Sequence, residues 1–161
     1  MPIVLFRVDE RLIHGQVVVG WGGPLRADRI VVVDDAIAAS PWEQELYCLG
    51  VPGEMEASFV SVDEARLRLP AWRSEGARLI VLVRDVPTLR RVAEDAAMRG
   101  DEVNLGGIHH SAGRERVLPY LFLSEDDRRS LREVAAGGVQ VSARDLPTSR
   151  QVPLDDLVRG G

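Results

Sequence analysis

The hydrophobic positions of this chain fall into short runs separated by polar segments. Four of these runs lie before residue 85 and have the length of β-strands: residues 2–8, 29–35, 55–61 and 77–84. The two richest, RIVVVDD and ARLIVLVR, lack the alternation of polar and apolar residues that is typical of a strand with one exposed face. The pattern therefore predicts strands that belong to a sheet covered on both faces.

Helical patterns with recognisable start signals lie between these runs. Ser40 precedes Pro41 in SPWEQELYCLG, and Ser61 lies three residues before Glu64 in SVDEARLRL. Both arrangements are typical of the first turn of a helix. A third helical pattern covers residues 85–100 and stops at a glycine, a residue that commonly ends helices. Strands and helices are therefore predicted to alternate.

The second half of the chain continues this alternation. DEVNLGG (101–107) and RVLPYLFLS (116–124) predict strands, SEDDRRSLREVAAGG (124–138) a helix, VQVSARDLP (139–147) a last strand, and VPLDDLVRG (152–160) a short terminal helix. Alternating strands and helices imply right-handed crossovers between parallel strands. We therefore predict one α/β domain over residues 1–161, with an open, mainly parallel twisted sheet and helices on both faces.

Composition limits the classes of partner. The 161 residues are 45% hydrophobic and 28% charged, which is typical of soluble globular domains. The net charge of -5 argues against a broad surface for nucleic acid or anionic membrane. Arginine supplies the cationic groups, and a few arginines can still converge on one phosphate. A small anion site is therefore compatible with the composition, whereas polyanion binding is not expected.

The sequence also bears on cellular location. The single cysteine, Cys48, cannot form an internal disulfide, and the chain does not open with a charged segment followed by a long apolar one. No stretch approaches the ~18 uninterrupted apolar residues that a bilayer requires. We therefore expect a cytoplasmic protein that reaches a membrane only through a partner.

The segment RVDERLIHGQVVVGWG places His14 where the first strand ends and a short helix begins. Ligands of open α/β sheets bind beyond the carboxyl ends of the strands. The opening turn of the predicted helix would hold His14, Gly15 and Gln16, and its free backbone N–H groups would favour an anion. An imidazole there can attack phosphorus through one ring nitrogen while its other nitrogen is held. The alternative is a structural histidine that only makes hydrogen bonds.

Charged residues surround this histidine in the sequence. Arg7 and Arg11 are candidates for neutralising phosphoryl oxygens, and Asp9 or Glu10 for orienting the loop or the ring. Gly15 has no side chain and would let the backbone approach the phosphoryl group. We therefore predict a phosphate-binding site that includes Arg7, Gly15 and Gln16.

A second loop, NLGGIHHSAGR, follows the predicted strand at residues 101–107. Gly106 and Gly107 would let this loop approach the one that carries His14, although they are equally typical of an ordinary turn. We predict that Gly107 and His110 lie at the rim of the phosphoryl pocket. The alternative is that His109 and His110 are ordinary loop histidines.

Metal and nucleotide sites are not expected. His109 and His110 are adjacent and diverge in an extended backbone, and the chain has no motif with the spacing of metal ligands. NLGG is not the G-x-G-x-x-G turn of a dinucleotide site. We therefore expect neither a metal nor a cofactor.

Three other residues have both a structural and a functional interpretation. Asp34 and Asp35 follow the second predicted strand, where they could shape the pocket or cap the next helix. Trp21 could pack in the interior or border a surface that binds a partner.

The run RVDERLIHGQV closely resembles the signature of the enzyme IIB subunits of the mannose/fructose/sorbose family of the bacterial phosphotransferase system (PTS). RIVVVDD, VPGEMEASFVSVDEA and NLGGIHHSAGR resemble later segments of the same family. The resemblance therefore spans nearly the whole chain.

The resemblance implies a phosphotransferase that works through a phosphohistidine. On this basis His14 is the phosphorylated nucleophile, at Nδ1, while Arg11 stabilises the transition state and Asp9 orders the loop. The phosphoryl group would come from the phosphohistidine of a IIA protein and pass to a sugar taken up through the membrane subunits IIC and IID. The contact with IIA would be transient, and self-association into a homo-oligomer remains open.

Two other functions fit the residues. The first is a regulatory module that takes a phosphoryl group from a PTS donor without serving a transporter. The second is an α/β domain that binds a small molecule without phosphorylation, in which His14 only hydrogen-bonds an anionic ligand.

Overall fold

The computed structural model describes residues 2–159 and contains nine strands in that range. They are β1 (Ile3–Val8), β2 (Arg29–Val33), β3 (Glu56–Val60), β4 (Leu79–Val83), β5 (Glu102–Leu105), β6 (Arg114–Leu118), β7 (Leu121–Ser124), β8 (Gln140–Ala143) and β9 (Val152–Pro153). Seven of them form one sheet in the order β3-β2-β4-β1-β5-β8-β9, while β6 and β7 form a separate hairpin. All neighbours in the large sheet are parallel except β9, which runs antiparallel to β8.

Helices fill the connections between the strands. The α-helices of the described range are α1 (Gly22–Leu25), α2 (Asp35–Ala38), α3 (Pro41–Cys48), α4 (Val62–Ser74), α5 (Val86–Val92), α6 (Glu125–Ala136) and α7 (Leu154–Leu157). A π-helix, Gln16–Trp21, precedes α1, and a short 3-10 helix, Glu94–Ala96, follows α5. Ser61 caps α4 by accepting the Glu64 N–H at 3.1 Å, as its sequence spacing predicts.

The middle of the sheet is apolar on both faces. All five residues of β4 are fully buried, and so are the last four of β2. One face packs against α4, α5 and α6, and the other packs against the π-helix and α2. These layers confirm the predicted α/β class, with a mainly parallel sheet and helices on both faces.

Strands β5 and β8 differ from the middle strands because their residues alternate. Val103 and Leu105 of β5 are buried in the core on the α5 and α6 side, as are Val141 and Ala143 of β8. The intervening residues are polar and point to the opposite face, since side chains alternate along a strand. On that face the residues Glu102, Asn104, Ser142 and Arg144 line a groove open to solvent.

The prediction of one strand at 116–124 is wrong. This segment contains most of the hairpin of β6 and β7, in which Leu118 pairs with Leu121 across a turn at Pro119 and Tyr120. Pro119 has no backbone N–H and cannot continue a hydrogen-bonded ladder, so the chain reverses there.

The helix predicted over 85–100 ends at Val92. The guanidinium group of Arg66, on α4, donates to the carbonyl oxygens of Arg91 and Val92 at 3.1 Å each. These bonds satisfy carbonyls at the helix end. Asp95 then has a φ of 57°, which a continuous right-handed helix does not allow.

The helix predicted over 152–160 is also shorter than expected. This segment begins with the two residues of β9 and continues into α7, which ends at Leu157. Gly160, the last residue of the prediction, lies outside the described residues. Pairing of Val152 with Ala143 of β8 explains why the segment starts as a strand.

Asp34 and Asp35 cap helices. The Asp34 carboxylate accepts the Ile37 N–H at the start of α2, at 3.0 Å. The Asp35 carboxylate accepts the Val62 N–H at the start of α4, at 2.8 Å. It also forms an ion pair with Arg91. The hydrogen bonds from Val62 and Arg91 hold the pKa of Asp35 below its ordinary value. The structural interpretation of this aspartate pair is therefore the right one.

Candidate active site

The loop after β1 lies at the carboxyl edge of the sheet, between the loops that follow β4 and β5. The N–H of Asp9 donates to the carbonyl of Val83 at 3.0 Å, at the end of β4. On the other side the N–H of Glu10 donates to the carbonyl of Gly107 at 2.9 Å. The backbone of this loop is therefore fixed from both sides.

Asp9 is the centre of a network of ion pairs in this loop. Its carboxylate is fully buried and accepts two hydrogen bonds from the guanidinium group of Arg11, both at 3.0 Å. It also accepts the N–H groups of Arg11 and Gly107, at 3.1 and 3.2 Å. A bidentate contact fixes the guanidinium plane as well as its position. Asp9 therefore orients Arg11 and ties the β1 loop to the β5 loop.

The environment keeps Asp9 ionised. Burial alone would raise its pKa, since a buried carboxylate loses hydration. The hydrogen bonds from Arg11 and the positive charges of Arg7 and Arg11 outweigh burial and hold the pKa of Asp9 below its ordinary value. The carboxylate therefore remains an acceptor for both arginines at neutral pH.

Arg7 is fully buried beneath the loop. Its guanidinium group donates to Asp9, to the side chain of Asn104 and to the backbone carbonyls of Arg144 and Asp145. It also lies over the Trp21 ring, 5.2 Å from the ring centroid. Every part of this group is occupied inside the protein, so the prediction that Arg7 binds phosphate is not supported.

Gly106 and Gly107 each make room for one of these arginines. A Cβ atom at position 106 would lie 2.5 Å from Nε of Arg7, and one at position 107 would lie 3.1 Å from Nη2 of Arg11. The first distance is a severe overlap and the second is a tight contact. The close approach of the two loops, one of the alternatives for this glycine pair, is what the structure contains.

The His14 ring is partly covered, with 17% of its side chain exposed. Its Nδ1 lies 2.8 Å from the carbonyl oxygen of Leu12. Since a carbonyl oxygen can only accept, Nδ1 carries a proton in this geometry. Nε2 lies 3.9 Å from Oδ2 of Asp9 and, among the described residues, has no hydrogen-bond partner.

Leu12 has a strained backbone that helps to place this carbonyl. Its φ is 54°, a conformation that costs about 1–2 kcal/mol for a residue with a Cβ. The Leu12 N–H donates to the Asp9 carbonyl at 2.9 Å, and the Leu12 side chain is fully buried in the core. Burial and the turn therefore hold the strained residue whose carbonyl faces His14.

The other predicted residues are placed differently. Gly15 has a helical φ of -52°, and a Cβ there would meet nothing within 4 Å, so the fold does not require glycine. The Gln16 amide is occupied by the carboxylate and carbonyl of Asp145, at 2.7 and 3.0 Å. The His110 ring packs edge-on against Phe122 on an exposed loop. Among the described residues, neither Gln16 nor His110 forms a hydrogen bond with the His14 ring.

Glu10 and His109 connect the same two loops on the solvent side. The Glu10 carboxylate accepts the backbone N–H of His109 and lies against its imidazole. Glu10 therefore orders the β5 loop, while Asp9 orders the arginines.

Sequence reasoning missed Asp145, whose backbone carbonyl accepts three side chains. The donors are Arg7 at 3.2 Å, Gln16 at 3.0 Å and the Trp21 indole at 3.0 Å. Its position just after β8, at the same sheet edge, was a usable signal. The acceptor, however, is a backbone carbonyl oxygen. Every residue has one, so the residue type does not reveal this role. Trp21 is buried in this contact, so its packing interpretation is correct.

Within residues 2–159 we find no group of three histidine, cysteine or acidic side chains that could hold a metal ion. No helix in this range is long and apolar enough to cross a membrane.

A family model described as "PTS system sorbose subfamily IIB component" matches residues 3–160. The chain belongs to this family of PTS IIB components. This membership bears out the resemblance seen in the RVDERLIHGQV segment, and it makes the chain part of a sugar phosphotransferase system.

Individual PTS IIB proteins align over nearly the full chain. The fructose-specific EIIB component of Bacillus subtilis is 30% identical over 159 residues, covering 99% of this chain and 97% of that protein. The mannose-specific EIIAB component of Escherichia coli is 28% identical, covering 98% of this chain and 49% of that protein. The crystal structure of the IIBSor domain of the sorbose permease from Klebsiella pneumoniae has the same fold, with a TM-score of 0.87, 23% identity and coverage of 100% and 99%.

Proposed function

We propose that this PTS IIB component is a cytoplasmic phosphocarrier that accepts a phosphoryl group on His14 from a phosphorylated IIA protein and passes it to a sugar. The observation that carries the proposal is a partly exposed imidazole at the sheet edge, held by the Leu12 carbonyl beside an arginine that Asp9 fixes in place. Family membership supports the same reaction class.

The transfer moves one phosphoryl group between two imidazoles. A lone pair on a ring nitrogen of His14 attacks phosphorus, and the N–P bond to the donor histidine breaks as the new one forms. The electron pair of the broken bond returns to the donor ring. In the second step a sugar hydroxyl oxygen attacks phosphorus, and the N–P bond to His14 breaks with its electron pair returning to the imidazole. The hydroxyl proton passes to solvent, and His14 is regenerated. Positioning and charge stabilisation dominate such reactions, so neither a metal nor a cofactor is required.

The attacking nitrogen must first become available. The family resemblance assigns attack to Nδ1, which is hydrogen-bonded to Leu12 in this structure. Attack by Nδ1 therefore requires the ring to turn away from this carbonyl, at the cost of one hydrogen bond, about 1 kcal/mol. In that turned orientation the ring proton must sit on Nε2, which leaves the Nδ1 lone pair free for attack.

Arg11 is the residue proposed to stabilise the transferring group. Its bonds to Asp9 use Nε and Nη2, so Nη1 can donate to phosphoryl oxygens, and 37% of its side chain is exposed. Gly107 leaves space for this guanidinium group. Arg7 does not contact the phosphoryl group in this scheme. Its guanidinium group donates to the buried Asp9 carboxylate, which in turn positions Arg11. Open space around Gly15 lets a partner protein approach.

The proposed partners are a IIA protein and the membrane subunits IIC and IID. The mannose-specific relative is an EIIAB component of which this chain matches about half, which supports a IIA partner.

The test is stepwise phosphorylation of the purified chain. Incubation with phosphoenolpyruvate, enzyme I, the general phosphocarrier and the matching IIA protein is expected to add one acid-labile phosphoryl group, measured by intact mass and mapped to His14. Omission of IIA is the control. No acid-labile mass gain would overturn the proposal and favour simple ligand binding. Membranes containing IIC and IID, with sugar, should then discharge the phosphoprotein; retention of the phosphoryl group would favour a regulatory module.

Replacement of Arg11 by glutamine is expected to slow phosphoryl transfer about 10²–10³-fold, because one preorganised cation is lost from the transition state. The fold should persist, since Asp9 keeps its contacts with Arg7 and the Gly107 N–H. Rapid-quench measurement of transfer from phospho-IIA checks the rate. Arg129→Gln, on the exposed side of α6, is the matched control and should be unchanged. Equal rates for the two variants would contradict the role of Arg11.

A further inference from the structure

The groove on the polar face of β5 and β8 has a volume of about 210 Å³. Its floor is formed by β1, β5 and β8, and its side by Trp21 and Leu25. Asp9, Arg11 and His14 are not among the residues that line it. The groove is therefore a separate feature from the phosphoryl site.

Arg144 provides an uncommitted cation in this groove. Its Nε is shielded from solvent and has no hydrogen-bond partner within residues 2–159. A shielded guanidinium N–H without an acceptor is unfavourable, so an acceptor from a ligand would stabilise it. The Arg144 backbone carbonyl is fixed by Arg7, which holds this residue at the groove wall.

Two neutral donors lie beside Arg144. The Asn104 side-chain oxygen accepts from Arg7, so its NH₂ group is directed elsewhere and can donate. The Ser142 hydroxyl accepts from the Gln151 amide at 2.8 Å and keeps its own hydrogen for donation. Arg144, Asn104 and Ser142 therefore present one charged and two neutral donors to the same groove.

The acidic residues of the groove do not cancel this preference. Asp101 is neutralised by a bidentate contact with Arg73, at 2.6 and 3.2 Å. Glu102 is exposed to solvent, where its charge is screened. Arg144 also lines the groove, and among residues 2–159 it forms no ion pair with an acidic side chain.

We propose that this groove binds a small anion that carries a carboxylate or a phosphate group. Arg144 makes the charge-assisted contact, and Asn104 and Ser142 orient the oxygens. The volume is below the roughly 300–1,000 Å³ typical of pockets for larger ligands, so the ligand has only a few heavy atoms. The inference does not depend on phosphorylation of His14, because the groove has its own donors.

The test is a titration followed by NMR at constant ionic strength, with malonate and inorganic phosphate as separate probes. Saturable shifts of the Asn104 side-chain NH₂ and the Arg144 Nε–H signals with either probe support the site and identify the preferred oxyanion. Arg144→Gln is expected to weaken binding about tenfold or more, Arg144→Lys to weaken it less, and Glu102→Gln to strengthen it several-fold. Malonamide, which is uncharged, should not bind.

Controls separate this groove from the His14 site. Arg11→Gln should leave the anion affinity of the groove unchanged, and so should Arg150→Gln on the exposed segment before β9. Loss of all saturable binding in Arg11→Gln, with Arg144→Gln unaffected, would place the anion at the His14 site and overturn the inference. Absence of saturable shifts with both probes, or equal binding of malonamide, would overturn it as well. Melting temperatures confirm that each variant is folded.

Discussion

Replacement of His14 by asparagine is expected to give a folded protein that takes up no phosphoryl group. The asparagine NH₂ can keep the hydrogen bond to the Leu12 carbonyl, which His14 Nδ1 makes at 2.8 Å. The amide nitrogen has no lone pair available for attack on phosphorus, so the covalent route is removed. Intact mass after incubation with the complete donor chain measures the loss, and circular dichroism establishes that the fold is kept.

The matched control for this prediction is His110→Ala. It also removes one imidazole, from an exposed loop where the ring contacts Phe122. This variant should accept one phosphoryl group at close to the wild-type rate. Uptake of an acid-labile group by His14→Asn, or its loss in His110→Ala alone, would move the acceptor away from His14.

Replacement of Gly106 by alanine is expected to lower the free energy of unfolding by about 3–5 kcal/mol, the range found when a buried ion pair is broken. The added Cβ would lie 2.5 Å from Nε of Arg7. Arg7 cannot move aside, because its guanidinium group is held by Asp9, by Asn104 and by two backbone carbonyls. Displacement would leave buried charges without partners. Urea denaturation measures the change.

Alanine substitutions at two other glycines serve as controls, with smaller expected losses of stability. Gly23→Ala meets nothing within 4 Å and should change stability by less than about 1 kcal/mol. Gly107→Ala should have an intermediate effect, because its contact at 3.1 Å is with Arg11, which is partly exposed and can shift. A loss in Gly106→Ala no larger than in Gly23→Ala would show that Arg7 is not locked.

The sequence was sufficient for those parts of the fold that depend on local patterns. The buried runs of β2 and β4 and the capping serine of α4 have signals within a few residues, and the structure contains each of them. His14, Arg11 and Asp9 also lie within six residues of one another. The structure places them together because one turn carries all three.

The parts that sequence analysis missed depend on long-range contacts. The sequence predicts Arg7 as a phosphate ligand, because an arginine near His14 can neutralise phosphoryl oxygens. Arg7 is instead buried because its partners include carbonyls of Arg144 and Asp145, far along the chain, and because Gly106 leaves room for it. The hairpin at residues 116–124 was missed for a different reason. Its apolar run obscured the turn at Pro119.

The contacts between the start and the end of the chain have a consequence for biosynthesis. Arg7, Gln16 and Trp21 all bind carbonyl oxygens of residues 124 to 138 positions downstream. At roughly 5–20 residues per second, a ribosome needs on the order of 10 s to make that stretch. A nascent chain therefore carries its histidine loop without these supports until the last part of translation.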